Sequence, residues 1–268
     1  MHIRLLGTGA AEGIPAMYSD TRVSDYARKH GGRDVRTRAA ALIDGCMKID
    51  LGPDTNAQIQ RDHLDARDWC GLIFTHGHDD HFTPSEIQYF LHPFSNEQHM
   101  PFPIYGNESI LGRIREAYPE WPMELVTTRS FETVHLADYT ITPVHAYHLL
   151  EEDSHNLIFE RAGRKLLYGT DTGVWREDTW EFLEGRGIDL LVIECTSGRI
   201  EGDYFGHLSV NQMLEVIARM RSIGALKSDS QIVTTHHSHN GDMTHDELVL
   251  ELSPHNILVG YDGLELWV

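Results

Sequence analysis

The sequence predicts a single α/β domain spanning residues 1–268, in which helices cover β-sheets, and three observations carry that expectation. Short β-type runs recur along the chain, and helical segments with clear start signals fall between the later runs. No low-complexity stretch or linker interrupts the pattern.

The strand candidates, in order, are "HIRLL", "AAALID", "CMKID", "GLIFT", "YTITPV", "NLIFE", "KLLYGT", "DLLVIE", "QIVTT", "NILVG" and "LELWV". Turns such as "IDGC" and "ERAGRK" are short enough to join close neighbours as hairpins. Three helix starts stand out: Thr83 with Pro84 and Glu86, Ser209 with Gln212, and Thr244 with Glu247, each written as a capping box before an apolar-periodic segment. A β-rich opening followed by alternating β and α argues against a simple doubly wound parallel sheet. The stretches "HPFSNEQHMP" and "GRIEGDYFG" read as irregular excursions.

Composition narrows the function. Acidic residues outnumber basic ones, 41 against 22, for a net charge of −19, which disfavours long nucleic acid as a partner. Cys46, Cys70 and Cys195 are an odd, scattered set with no CxxC pair, the pattern of reduced thiols in a cytoplasm. No apolar stretch approaches the ~20 residues of a membrane helix, and none near the N-terminus suits a signal peptide. The expectation is a soluble cytoplasmic protein with no membrane partner.

Chemistry concentrates in "HGHDDH", His76 to His81, directly behind the apolar run "LIFT". Imidazoles two apart on a loop leaving a buried strand can converge on one ion, and Asp80 and His81 can serve a second. Further donors stand at other strand ends: His145 and His148 after "TPV", Asp171 after "YGT", and His236, His237 and His239 after "IVTT". All are N and O donors, which suits zinc, with manganese or iron compatible by ligand type.

HxHxDH, a later strand-end histidine, "GTDTG" and "THHSH" together resemble the metallo-β-lactamase superfamily, as do the opening "LLGTGAAEGIP" and "IDLGPD". The resemblance implies a four-layer αββα sandwich of two mixed β-sheets covered by helices, with a binuclear site of two divalent metal ions. It assigns His76, His78 and His148 to the first ion, Asp80, His81 and His236 to the second, and Asp171 as the bridge. His145 and His155 are the alternatives to His148. Asp50 and Asp54 resemble supporting acids, with a plain turn as the other reading of Asp54; His237 and Asp79 point elsewhere. Histidine at His78, where di-iron oxygen-reducing members carry glutamate, favours hydrolysis. Two ions sharing a water lower its pKa towards ~7 and supply the nucleophile, with Asp80 orienting it.

The segment "LLVIECTSGRIEGDYFGHLSVNQMLEV" resembles the phosphodiesterase branch, which contains RNase Z and the phosphoribosyl 1,2-cyclic phosphodiesterase of phosphonate breakdown; the latter is similar over the whole chain. By that match His207 is the general acid, Glu194 orients it, and the helix start at Ser209 adds anion-binding donors. No basic arm for transfer RNA is evident, so a small cyclic or simple phosphodiester is the expected substrate. A lactonase or thioesterase, an RNase Z-like endoribonuclease and a non-catalytic binding protein are the rivals. The resemblance also admits a homodimer.

One departure is plain. The branch carries a cysteine cluster that holds a structural zinc with the histidine at His239, whereas loop 16–38 here has no cysteine. The structural zinc is expected to be absent and the loop held otherwise. Arg28, Arg33, Arg36 and Arg38 then read either as phosphate contacts or as a solvated basic loop.

Overall fold

The computed structural model describes residues 1–202 and 204–268. The first half of the chain builds one sheet: β1 (His2–Gly7), β2 (Ala40–Ile43), β3 (Met47–Ile49), β4 (Gly71–Ile73), β5 (Ile104–Gly106) and β6 (Leu125–Thr127). The second half builds the other: β7 (Val134–Leu136), β8 (Tyr139–His145), β9 (His155–Arg161), β10 (Arg164–Gly169), β11 (Ile188–Glu194), β12 (Leu226–Thr235) and β13 (Leu258–Val259). The last strand, β14 (Glu265–Trp267), returns to pair antiparallel with β1, giving two mixed sheets of seven strands among the described residues.

Strand periodicity explains the layers. In β11 every residue is buried; Leu190 and Val192 meet β1, β3 and β8 residues in the core between the sheets, while Leu191 and Ile193 face helices. Over that outer face lie α5 (Glu177–Leu183), α6 (Val210–Ser222) and α7 (His245–Leu252). Ile110, Leu111 and Ile114 of α4 (Glu108–Ala117) cover the outer face of the first sheet. The result is the expected αββα sandwich.

Each strand run read from the sequence forms a strand, and "IDGC" and "ERAGRK" close antiparallel hairpins. Capping boxes form at Ser209–Gln212 and Thr244–Glu247. The box at Thr83 does not: its hydroxyl donates instead to the Asp79 carbonyl at 2.8 Å, and only a short helix, α3 (Pro84–Ile87), follows. Tertiary contact with the "HGHDDH" loop has taken the cap. The "GRIEGDYFG" excursion includes residue 203, which lies outside the described residues.

The reading of three free thiols is corrected. Cys46, in the β2–β3 turn, is disulfide-bonded to Cys70, just before β4, with their Cα atoms 5.0 Å apart. Parallel pairing of β3 with β4 sets Met47 opposite Gly71 and so brings together two cysteines 24 residues apart. Spacing alone does not reveal such a pair, and with it the thiol argument for a reducing compartment falls. Among the described residues no helix is long and apolar enough to cross a membrane.

Candidate metal centre

The strands deliver their donors to one place. The loop after β4 carries His76, His78, Asp80 and His81; the ends of β8, β10 and β12 carry His148, Asp171 and His236. Ligand atoms of His76, His78, His148 and Asp171 lie within 4.8 Å of one another, as do those of Asp80, His81, Asp171 and His236. Asp171 belongs to both groups. Its Oδ2 is 3.4 Å from His76 Nε2, 3.3 Å from His81 Nε2 and 3.6 Å from His148 Nε2, and its Oδ1 is 3.0 Å from His236 Nε2.

The outer atoms of these side chains are tied down, which aims the inner ones. His76 Nδ1 lies 3.1 Å from Thr75 Oγ1, His81 Nδ1 2.7 Å from Asp50 Oδ2, His148 Nδ1 2.9 Å from the Gly206 carbonyl and His236 Nδ1 2.8 Å from Thr196 Oγ1. Asp50 also accepts the Thr75 N–H at 2.8 Å. Fixing one imidazole nitrogen by a hydrogen bond leaves the other as a directed lone pair.

The inner atoms are short of partners. His81 Nε2 and His236 Nε2 are buried without a hydrogen bond among the described residues, although each faces a carboxylate oxygen. His78 Nδ1 sits 3.0 Å from both His76 Nε2 and His148 Nε2. Buried polar atoms almost always find partners, so nitrogens and carboxylate oxygens that converge without bonding each other fit a divalent cation between them.

Electrostatics agree. Burial opposes charge on His236, yet Asp171, Asp80 and Glu194 push its pKa up to about 10; His81 is raised in the same way by Asp171, Asp80 and Asp50 against its burial. Burial would likewise protonate Asp171 and Asp80, but the facing histidines hold both carboxyls well below their ordinary value. The pocket favours positive charge. Its backbone is also held in an uncommon form: Asp50, Asp171 and His236 have φ of 58°, 50° and 54°. Non-glycine residues adopt this left-handed region where surrounding structure imposes it, often at functional sites.

The alternatives to His148 fall away. His145 lies 3.4 Å from Asp178, and His155 sits 3.0 Å from Asp153. Asp79 is almost fully exposed, 3.5 Å from Arg113. Asp54 accepts the Arg38 N–H at 2.9 Å, a structural tie, and His237 turns to Thr234 at 3.1 Å.

Beside the cluster, His207 Nδ1 meets Glu194 Oε1 at 2.8 Å. Glu194 also accepts the N–H groups of Thr172 at 2.7 Å and Leu208 at 3.0 Å and the Thr196 hydroxyl. Both of its oxygens thereby have hydrogen-bond partners, although its ligand atom also lies within 4.8 Å of those of His207 and His236. Burial lowers the His207 pKa, but the Glu194 carboxylate more than offsets this and raises it.

Two further expectations change. The Ser209 hydroxyl donates to the Glu201 carboxylate at 3.0 Å, so that helix start already faces an anion from the chain itself. The basic loop residues are anchors: Arg36 is buried and donates to the Gly260 carbonyl at 2.6 Å, Arg28 to the Ala16 carbonyl at 2.7 Å and Arg38 to the Ala11 carbonyl at 2.9 Å, while Arg33 packs over Tyr261. Loop 16–38 folds into α1 (Arg22–His30), whose N-cap Thr21 meets His239 Nδ1 at 2.9 Å. A hydrogen bond between Thr21 and His239 thus helps hold the loop that has no cysteine. Sequence reasoning missed Glu12 and Tyr204, which line a cavity of about 470 Å³ over the cluster. The "GTGAAEGIP" motif carried the signal for Glu12.

This architecture has counterparts. Residues 47–237 match the beta-lactamase superfamily domain. A diphosphatase from the PhnP family is 22% identical with a TM-score of 0.79, covering 100% of this chain and 97% of its own. Zinc-bound PqqB from Methylobacterium extorquens is 19% identical, with a TM-score of 0.77 and full coverage of both chains. Human short-form tRNase Z is 19% identical, with a TM-score of 0.65, covering 100% of this chain and 99% of its own. No protein of curated function matches in sequence. At these identities the structural likeness shows the fold, while the domain match extends over more than half of the chain. The chain therefore belongs to the beta-lactamase superfamily domain family, and its histidine and aspartate clusters suit the divalent metal ions of a metal-dependent hydrolase.

Proposed function

We propose that the chain, acting as one domain over residues 1–268, hydrolyses a small phosphodiester with two divalent ions, zinc being the best match to the donors. His76, His78 and His148 would hold one ion and Asp80, His81 and His236 the other, with Asp171 between them. When bound, such ions make a water a competent nucleophile at neutral pH.

The rest falls to this chain's own residues. Asp80 borders the cavity and can accept a hydrogen bond from the attacking water, orienting it. As the bond from phosphorus to the leaving oxygen breaks, His207 gives that oxygen its proton, yielding a phosphomonoester and an alcohol. The observation that carries this reading is the His207–Glu194 pair at the cavity wall, a proton donor held by a fully buried carboxylate. A thioesterase has less use for it, because a thiolate departs without needing a proton. The net charge of −19 counts against a transfer-RNA substrate.

The test is elemental analysis of the purified protein together with turnover of bis(p-nitrophenyl) phosphate, a lactone and a thioester. About two ions per chain and turnover of the phosphodiester alone are expected. Turnover of the lactone or thioester with none of the phosphodiester would defeat the proposal.

A further inference from the structure

Besides the histidines, the cavity above the clusters is lined by the aromatic and apolar side chains of Tyr204 and Ile200 and by the polar side chains of Glu12, Ser197, Ser238 and Asn240. Glu12 is held in place: it accepts the Ser238 hydroxyl, and its Oε1 lies 3.5 Å from His239 Nε2. His239 is fixed in turn by Thr21. The loop rebuilt as α1 therefore supports a carboxylate at the mouth of the site. Tyr204 is half-exposed, its ring 5.4 Å from that of His207 and 5.4 Å from that of Phe205, which itself packs on Tyr147 at 4.8 Å. Among the described residues lining the cavity none is lysine or arginine.

His207 lines this same cavity, so a leaving group that it protonates shares the space with these side chains. Tyr204 offers a face on which a flat or sugar ring stacks, and Ser197 and Asn240 offer hydrogen bonds to hydroxyls. Glu12 adds a fixed negative charge that attracts a hydroxyl or ammonium donor and repels a second phosphate. From this we infer that Glu12 and Tyr204 set substrate specificity, selecting a phosphodiester whose leaving side is a neutral or cationic, hydroxyl-bearing ring and excluding one that carries a further phosphate. The inference rests on the phosphodiesterase reading and narrows it.

A matched pair of probes tests it: adenosine 2′,3′-cyclic phosphate with a free 5′-hydroxyl and the same compound bearing a 5′-phosphate. The wild-type protein is expected to prefer the free hydroxyl by about tenfold or more in kcat/KM, the size of one unfavourable charge contact. Glu12→Gln should cut that preference to about threefold or less, and Glu12→Lys should reverse it. Each ratio is read within one preparation, so a fraction of misfolded variant does not alter it. Calorimetric binding of adenosine 3′-phosphate against adenosine 3′,5′-bisphosphate should show the same order without turnover, and Tyr204→Ala should weaken both ligands alike. Hydrolysis of both cyclic probes with no preference, or a preference untouched by Glu12→Gln, overturns the specificity assignment and leaves the phosphodiesterase reading standing. Hydrolysis of no phosphodiester overturns both.

Discussion

Glu194 Oε1 accepts from His207 Nδ1 at 2.8 Å and from the Thr172 backbone N–H at 2.7 Å, so the carboxylate that aims the proposed proton donor is anchored one residue from Asp171. Donor and metal centre share a support, and removing the donor should leave the centre standing. His207→Ala is therefore expected to retain bound metal while losing about 10²- to 10⁴-fold in kcat on a dialkyl phosphodiester. On bis(p-nitrophenyl) phosphate the loss should be much smaller, because p-nitrophenolate departs without a proton. Steady-state kinetics on the two substrates decide it, and equal losses would exclude proton donation.

Asp50 is fully buried and accepts from Thr75 N, Thr75 Oγ1 and His81 Nδ1. Asp50→Ala leaves those donors unpaired and frees the His81 ring. The expected result is a loss of about 10- to 100-fold in metal affinity, measured by chelator competition, with about 1–3 kcal/mol of stability lost in denaturant melts. An unchanged affinity would mean that His81 needs no such support.

Gly52 has no room for a side chain: a Cβ would fall inside contact distance of the Asp80 carbonyl oxygen, and both partners are backbone. The approach is set by the hydrogen bonds from Leu51 N to the His81 carbonyl at 2.8 Å and from Thr83 N to the Leu51 carbonyl at 3.0 Å. Gly52→Ala should cost about 1–3 kcal/mol and displace Asp80 and His81, lowering metal content along with Tm. Asp79→Ala, in the same loop but exposed, should stay within about 0.5 kcal/mol of the wild type.

His245 supplies a pH test away from the metal centre. Burial, then Arg36 and Arg33, lower its pKa to about 4, while Asp246 opposes them and Asp34 accepts the His245 backbone N–H. Its ring nitrogen Nδ1 sits 3.2 Å from Arg36 Nη2, and cannot accept there once protonated. The folded value lies below the ordinary 6.5, so the unfolded chain binds this proton more readily. The contribution is intact above pH 6.5 and is lost as pH falls from 6.5 towards 4. His245→Asn keeps an acceptor for Arg36 but does not titrate. Its stability relative to the wild type should rise as pH drops through that window, and a difference that stays constant between pH 7 and 4 would contradict the assignment.

Much of the fold was legible because its strands are short apolar runs, buried throughout as in β11 or with alternating burial as along Tyr139–Thr142 of β8, and because "HGHDDH" places an improbable density of donors behind one of them. The site residues were legible one strand end at a time. What remained hidden depended on contacts between distant segments. Nothing local in "AMYSDTRVSDYARKHGG" says that Thr21 will meet His239, and Thr83 reads as a capping box until the neighbouring loop claims its hydroxyl. The Cys46–Cys70 bond exists because β3 and β4 lie side by side. Glu12 is placed by Ser238, 226 residues further along the chain, so nothing local marks where its side chain goes.

The division of the donors between the two halves of the chain carries one more consequence. His76, His78, Asp80 and His81 come from the sheet made by the first half, and His148, Asp171 and His236 from the sheet made by the second. Each proposed ion thus draws on both, acting as a rivet through the sandwich. Neither half alone holds a complete coordination set, so a chain emerging from synthesis or partly unfolded carries no working hydrolase. Metal added to the finished protein should stabilise the seam between the sheets by mass action rather than either sheet alone.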